Sequence, residues 1–408
     1  MKILHTADWH IGKVLHKYAL RDELRLFFEW LIELIEKEFV ELLLVSGDIF
    51  DLANPAVKDR ELYYRFLSLL IKLDIKVVIT GGNHDAIGVL NAPQKILDAL
   101  NITVIGGATD NIEDELIEVK NKANQTALII AAVPFLRDKD LRSQESDEKY
   151  ENRTEAIREG IKTHYAQLAE ICENKYGDLP VIAMGHLYAK GASTSESERE
   201  IHIGNAAAVE SSIFSSTFNY VALGHIHRPQ VIGKNEHMRY SGSPIALSFS
   251  EKSDKKSLVI LNLKDGKIGA PKIVNVPKFR ALQKFSGDLQ HVKERLSEFK
   301  PQFPLTSFVE IEVIEETYSA SILAEVDELV SLYSESTSFT ILKPRTTFTE
   351  NEKDTAALFE EGQHIEDLKP IDVFTKLMDH QLIEIEQQAI LKEAFNELLE
   401  SANQTDAS

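Results

Sequence analysis

Thiols are nearly missing from this sequence. One cysteine, Cys172, stands among 408 residues, which excludes an intramolecular disulfide and any zinc-ribbon or iron–sulfur site, because those need several thiolates at set spacings. A reducing compartment fits, and the expected location is the cytoplasm. Long apolar runs are missing too. No stretch approaches the roughly 18 residues needed to span a bilayer, and Met1-Lys2-Ile3-Leu4-His5 leads into a short strand rather than a signal-peptide core. No membrane partner is expected.

Positive charge is also short, with 45 Lys+Arg against 65 Asp+Glu and a formal net charge of −20. That balance argues against a free-standing, high-affinity nucleic-acid binder working by phosphate neutralisation. The deficit is uneven: from Thr346 onward there are 15 acidic residues, 4 lysines and no arginine, so this stretch carries −11 and the preceding 345 residues −9. A G-x-x-x-x-G-K-[ST] phosphate loop occurs nowhere, so any ATP-driven step needs another chain.

What is present is an ordinary globular composition, 43% hydrophobic and 27% charged, enough for two or three domains. Over roughly the first 275 residues, apolar runs of strand length alternate with helix-period segments. The strand-like runs are Ile3-Leu4, Leu42 to Val45, Lys76 to Ile79, Ala127 to Val133, Val181 to Met184, Val221 to Leu223, Leu258 to Leu263 and Ile273 to Val276; Leu24 to Ile35 and Leu62 to Leu73 read as helices. The pattern predicts a layered α/β domain over 1–277 with a largely parallel core sheet and more antiparallel later strands. A small α/β unit is expected over 278–345, with helices at Gln290 to Phe299 and Ser319 to Tyr333. An acidic linker follows over 346–369, and an amphipathic helical segment over 370–400.

Five short polar motifs directly follow strand-like runs: Asp8-Trp9-His10, Gly47-Asp48, Gly82-Asn83-His84-Asp85, Gly185-His186 and Gly224-His225-Ile226-His227. In open α/β sheets, ligands bind outside the carboxyl ends of the strands, so all five can meet at one edge. A lone Asp-x-His is common on protein surfaces, whereas Gly-Asn-His-Asp at the end of a buried strand has little structural use. Asp, His and Asn offer oxygen and imidazole donors suited to Mn, Fe or Zn. Asp8, His10, Asp48, Asn83, His186, His225 and His227 are too many for one ion. Two ions sharing a carboxylate, for which Asp48 is the best bridge, make the pair used for in-line displacement at phosphorus. Two divalent ions against two aspartates leave about +2, which attracts an anionic substrate. The remaining histidines, at 5, 16, 164, 202, 237, 291, 364 and 380, lack this context and read as structural or solvated.

The ordered set Asp8-x-His10, Gly47-Asp48-Ile49-Phe50-Asp51, Gly82-Asn83-His84-Asp85, Gly185-His186 and Gly224-His225-Ile226-His227 resembles that of the calcineurin-like metallophosphoesterases. Further segments, His-Thr-Ala-Asp-Trp-His-Ile-Gly at 5–12, Gly-His-Ile-His-Arg-Pro at 224–229 and Tyr-Ser-Gly-Ser-Pro at 240–244, narrow the resemblance. They resemble the bacterial nuclease subunits that work with an SbcC-type coiled-coil ATPase, related to the double-strand-break repair nucleases of archaea and eukaryotes.

The resemblance implies a metallophosphoesterase sandwich with a small capping domain for DNA and a C-terminal helical segment docking on the ATPase. It implies one ion held by Asp8, His10, Asp48 and His227, and a second by Asp48, Asn83, His186 and His225. Mn²⁺ is favoured and Mg²⁺ is the weaker substitute. His84 matches the catalytic histidine, with Asp85 as its expected orienting partner and Asp51 a lesser candidate. The implied activity is exonuclease and endonuclease cleavage of DNA ends and hairpins in repair, recombination and replication. The implied assembly is a homodimer within a heterotetramer, with the stripe Leu62, Phe66, Leu69 and Leu73 a candidate for either core or dimer interface. The competing readings are a phosphomonoesterase of the same superfamily and a catalytically silent end-binding scaffold.

Overall fold

The structure is a computed structural model that describes residues 1–141, 150–199, 201, 208–334 and 336–349, together with 371, 374, 375, 378, 388, 391, 392, 394 and 395. The expected linker from residue 350 onward, most of the expected C-terminal helical segment, His202, His364 and His380 lie outside the described residues. The chain divides into two compact units. The first comprises Met1–Gln283 with Pro301–Phe308; the second starts at Lys284, continues to Lys300 and resumes at Val309.

Two stacked sheets build the first unit. In one, the strands Lys2–Thr6, Leu42–Ser46, Lys76–Thr80 and Ile102–Ile105 run parallel, and Ser257–Lys264 pairs antiparallel on the free side of Lys2–Thr6. In the other, Thr126–Ala132, Val181–His186, Phe218–Gly224 and Asn235–Tyr240 are parallel, flanked by the antiparallel strands Leu116–Lys120 and Gln230–Ile232. The sequence pattern anticipates one core sheet; the repeated parallel pattern in the second half makes two. Strand alternation assigns the faces. Leu42, Leu44, Val78, Leu128, Ile130, Ile182, Met184 and Ala222 fill the layer between the sheets. Ile129, Ala131, Ala183, Val221 and Leu223 face outward and pack with Ile157, Ile161, Tyr165, Leu168 and Cys172 of the helix Tyr150–Tyr176.

The helices Arg21–Glu38 and Val57–Lys72 share an aromatic cluster in which Phe28 stacks on Phe66 at 4.2 Å and Trp9 meets both edge-on at 5.1 and 5.4 Å. The buried face of Val57–Lys72 is Tyr63, Phe66, Leu67 and Leu70. It is rotated from the expected Leu62, Phe66, Leu69, Leu73 stripe, whose leucines are only half-buried. Tyr63 causes the difference: its ring packs against Phe50 at 5.2 Å and takes the inner position.

The second unit has the three-stranded sheet order Leu282–Gly287, Ser307–Glu315, Phe339–Phe348, with the helices Leu289–Glu298 and Ala320–Leu332. Asp288 and Ser319 cap those helices by accepting from the backbone N–H groups of His291 and Ile322. Val292, Leu296, Val309, Ile311, Val326 and Phe339 form its core. The last strand runs to Phe348, a little beyond the expected end of this unit at residue 345. Farther along, the rings of Phe374 and Phe395 stack at 4.1 Å.

Candidate metal centre

The first loop is set by alternation. Trp9 is fully buried in the aromatic cluster and donates from Nε1 to Thr6 Oγ1 at 3.2 Å, so its neighbours Asp8 and His10 turn the other way. The loop is stitched to the next by the bonds Asp8 N–H to Gly47 O and His10 N–H to Asp48 O, both 3.0 Å, and Ile11 N–H to Ile49 O at 2.9 Å. Asp8, His10, Asp48 and His225 all have positive φ, at 54°, 45°, 51° and 98°. Such conformations cost about 1–3 kcal/mol each and persist where surrounding structure fixes them. Close packing of the loops demands glycine nearby: a Cβ on Gly82 would overlap Asp48 Oδ1, and one on Gly224 the Ser46 carbonyl.

The five motifs converge, and they arrive from both sheets. His10 Nε2 and His186 Nε2 each lie 3.4 Å from Asp48 Oδ2. Asn83 Oδ1 is 2.9 Å from His186 Nε2 and 3.2 Å from His225 Nδ1. His10 Nε2 and His227 Nε2 face each other at 3.0 Å. Three ligand sets have mutually close donor atoms: Asp8, His10 and His227; His10, Asp48 and His84; Asp8, Asp48 and His186. Asp48 occupies the centre, within reach of His10, His84 and His186.

Hydrogen bonding at the far ring nitrogens decides what the near ones present. His10 Nδ1 lies 3.2 Å from Asp51 Oδ1. Burial alone would raise the Asp51 carboxyl, but its bond and charge interaction with His10 hold it down to about 2, so it only accepts. His186 Nδ1 donates to the Ser46 carbonyl at 3.0 Å. His227 Nδ1 is 2.7 Å from Ser197 Oγ, which is itself bonded to Glu251. His10 and His227 therefore carry a proton on Nδ1 and turn a bare Nε2 to each other, whereas His186 Nε2 donates to Asn83 Oδ1 at 2.9 Å. Two lone pairs at 3.0 Å repel unless a cation lies between them.

Other features fit the same cargo. Asp8 Oδ2 and His225 Nε2 are buried with no hydrogen-bond partner. Burial pushes the Asp8 carboxyl up to about 7, with the charge of Asp48 adding to the rise against the pull of His186 and His10. Burial also opposes charge on Asp48, yet His186 and His10 hold it well below its ordinary range. His186 rises to about 9: burial works against its charge, and Asp48 and Asp8 outweigh it. Burial, reinforced by the nearby His186, keeps His225 well below the ordinary imidazole value. Two buried carboxylates thus rely on imidazolium or a proton for counter-charge, and divalent cations supply it directly. Asp8, His10, Asp48, Asn83, His186, His225 and His227 are the residues that would hold them.

His84 Nδ1 donates to the Asp51 backbone carbonyl at 2.7 Å, leaving Nε2 4.0 Å from Asp48 Oδ2. Burial lowers its pKa to about 4. Asp85 is not its partner. The Asp85 carboxylate instead accepts the backbone N–H groups of Ile49 (3.0 Å), Phe50 (2.9 Å) and Gly82 (2.9 Å), which ties together the loops bearing Asp48 and Asn83. Burial and the charge of Asp48 raise it to about 6 against those donors. The expected orienting role belongs to the Asp51 main chain, and Asp85 is a brace. Ser197, Glu251 and Lys256 carry no signal in the sequence, where they sit in Ser- and Lys-rich polar stretches.

This arrangement of two sheets with Asp, Asn and His donors at their carboxyl edges matches a known class. The calcineurin-like phosphoesterase profile fits residues 1–229, and the chain belongs to that family of metallophosphoesterases. Among curated proteins, it is 30% identical to the SbcD subunit of the nuclease SbcCD from Escherichia coli (strain K12) over 405 residues, 98% of each chain. It is 37% identical to the Rhodobacter capsulatus protein of the same name over 290 residues, 68% of this chain and 70% of that one. The Bacillus subtilis counterpart is 34% identical over 270 residues, 65% and 67%. Within the phosphoesterases, the chain is a member of the SbcD family of nuclease subunits.

Proposed function

We propose that this chain is a two-metal DNA phosphodiesterase, acting as exonuclease and endonuclease on DNA ends and hairpins together with an SbcC-type ATPase. The facing Nε2 atoms of His10 and His227, 3.0 Å apart with both rings' protons committed elsewhere, carry the metal part of this reading. The relatives' name carries the nuclease part. Mn²⁺ suits the nitrogen-rich donor set better than Mg²⁺, which prefers oxygen and water.

When bound, two divalent cations supply Lewis-acid activation of water and neutralise charge gathering on the phosphodiester. The protein's own residues do the rest. Asp51 orients His10 through its side chain and His84 through its carbonyl. His84 presents Nε2 to the site; an anionic phosphodiester beside it favours a proton there, which the leaving oxygen takes up.

The unit from Lys284 is proposed to cap DNA, the C-terminal segment to dock on the ATPase, and two copies to associate within a heterotetramer in the cytoplasm. An acidic body needs such a partner to hold a duplex. The test is cleavage of linear and hairpin duplexes with Mn²⁺, with and without the ATPase, using His84→Ala as control. Turnover of p-nitrophenyl phosphate in preference to its bis ester would instead make the protein a phosphomonoesterase.

A further inference from the structure

Behind His227, on the side away from His10, lies a set of buried and half-buried polar groups. The Ser197 hydroxyl contacts His227 Nδ1 at 2.7 Å and also bonds Glu251 Oε1. Glu251 is an acceptor: Lys256 Nζ and the Leu247 backbone N–H both donate to its Oε2, at 2.5 and 3.1 Å. Ser197 must therefore donate to Glu251 and accept from the imidazole. Lys256 Nζ closes the far end, 2.5 Å from Glu251 Oε2, 2.8 Å from Ser243 Oγ and 2.9 Å from the carbonyl of His227 itself. Glu251 is 1% exposed and Lys256 7%.

A buried ion pair is weak evidence for stability, because desolvation offsets most of the attraction. This one holds both ends of one residue. Lys256 grips the His227 carbonyl, and Glu251 acts on its ring through the Ser197 hydroxyl and directly, with Oε1 3.4 Å from Nδ1. Glu198 fixes the third point by accepting the His227 backbone N–H at 2.9 Å. We propose that Ser197, Glu251 and Lys256 are positioning residues that lock His227 in the tautomer with Nε2 bare and aimed at His10, and so set the affinity of one of the two ion positions. The inference rests on the metal-centre reading above. Oxygen partners behind an imidazole ligand fix its ring and raise its basicity, and losing them costs about 10–100-fold in metal affinity.

The experiment is Mn²⁺ titration of the full chain after chelation, read by calorimetry and by the electron paramagnetic resonance of the bound ion. Wild type, Ser197→Ala, Ser197→Thr and Glu251→Gln are compared, and thermal unfolding of each metal-free protein serves as the fold control. Wild type should take up two ions. Ser197→Ala should weaken one of them about 10–100-fold and leave the other unchanged, Ser197→Thr should restore it, and Glu251→Gln should weaken the same ion. If the Glu251 variant does not fold, the alanine and threonine pair decides. Wild-type affinity for both ions in Ser197→Ala would overturn the proposal, as would an equal loss of both together with a lower unfolding temperature. A wild-type protein that binds no Mn²⁺ would instead overturn the metal-centre reading itself.

Discussion

Replacing Asp85 by alanine separates two roles that a carboxylate beside a catalytic histidine can have. In the structure it accepts three backbone N–H groups, from Ile49, Phe50 and Gly82, at 2.9–3.0 Å, and it is 2% exposed. Truncation leaves three buried donors without partners. Each such loss costs about 1–3 kcal/mol, so the sum is roughly 3–9 kcal/mol before relaxation or water entry. Against a usual total of about 5–15 kcal/mol, even the lower figure is severe. Asparagine keeps one oxygen, which can still serve Ile49 and Gly82, and should lose about 1–3 kcal/mol. Urea unfolding of the chelated proteins at neutral pH measures both. A loss below about 1 kcal/mol for alanine, with cleavage reduced as far as in a His84 variant, would refute the brace and return Asp85 to the chemistry.

Four further outcomes are expected. His84→Ala should lower bis-p-nitrophenyl phosphate hydrolysis by ~10²- to 10⁴-fold while Mn²⁺ uptake in the same preparation stays intact. Chelation should abolish cleavage, with Mn²⁺ restoring more than Mg²⁺, and Asp48→Asn should not be restored by either, because Asp48 stands at the centre of the ligand set. The Asp8 carboxyl, raised to about 7 in the folded metal-free state from 3.8, stabilises the fold least when forced to ionise. Its own contribution to metal-free stability should therefore fall as pH rises from about 4 to 7, while the lowered His84 and His225 act in the opposite direction; Asp8→Asn should accordingly gain stability relative to wild type across that window in denaturant titrations while weakening metal binding. Cys172 is buried, and its thiol is pushed up to about 11 by burial; a thiol reagent should leave the native protein untouched and titrate one group in denaturant.

The site was legible wherever chemistry interrupts an apolar strand. Asp48, Asn83, His186 and His225 follow runs such as Leu42 to Val45 and Val181 to Met184, where a polar residue at a buried strand end has few structural uses. The strands themselves were legible for the same reason. What could not be read was direction. Nothing in Gly82-Asn83-His84-Asp85 says that Asp85 turns back to three main-chain donors while His84 finds a carbonyl at 51, because both choices depend on loops that meet only in three dimensions. Ser197, Glu251 and Lys256 were hidden differently, since short polar stretches such as Ser250-Glu251-Lys252-Ser253 look the same whether solvated or folded inward. The inner face of Val57–Lys72 shifted because the large apolar body of Tyr63 outweighs its hydroxyl, an inversion that periodicity counts miss.

The donors come from both stacked layers: Asp8, His10, Asp48 and Asn83 follow strands of one sheet, His186, His225 and His227 strands of the other. Cations seated among them would rivet one layer to the other across a seam otherwise closed by greasy side chains and a few hydrogen bonds, such as Ser46 Oγ to the Ala222 carbonyl and the His225 N–H to Asp8 Oδ1. Sequestering the metal would then do more than silence the enzyme. It would unfasten the two halves of the sandwich along their shared rim, and amide protons at the carboxyl ends of those strands should be the first to exchange with solvent.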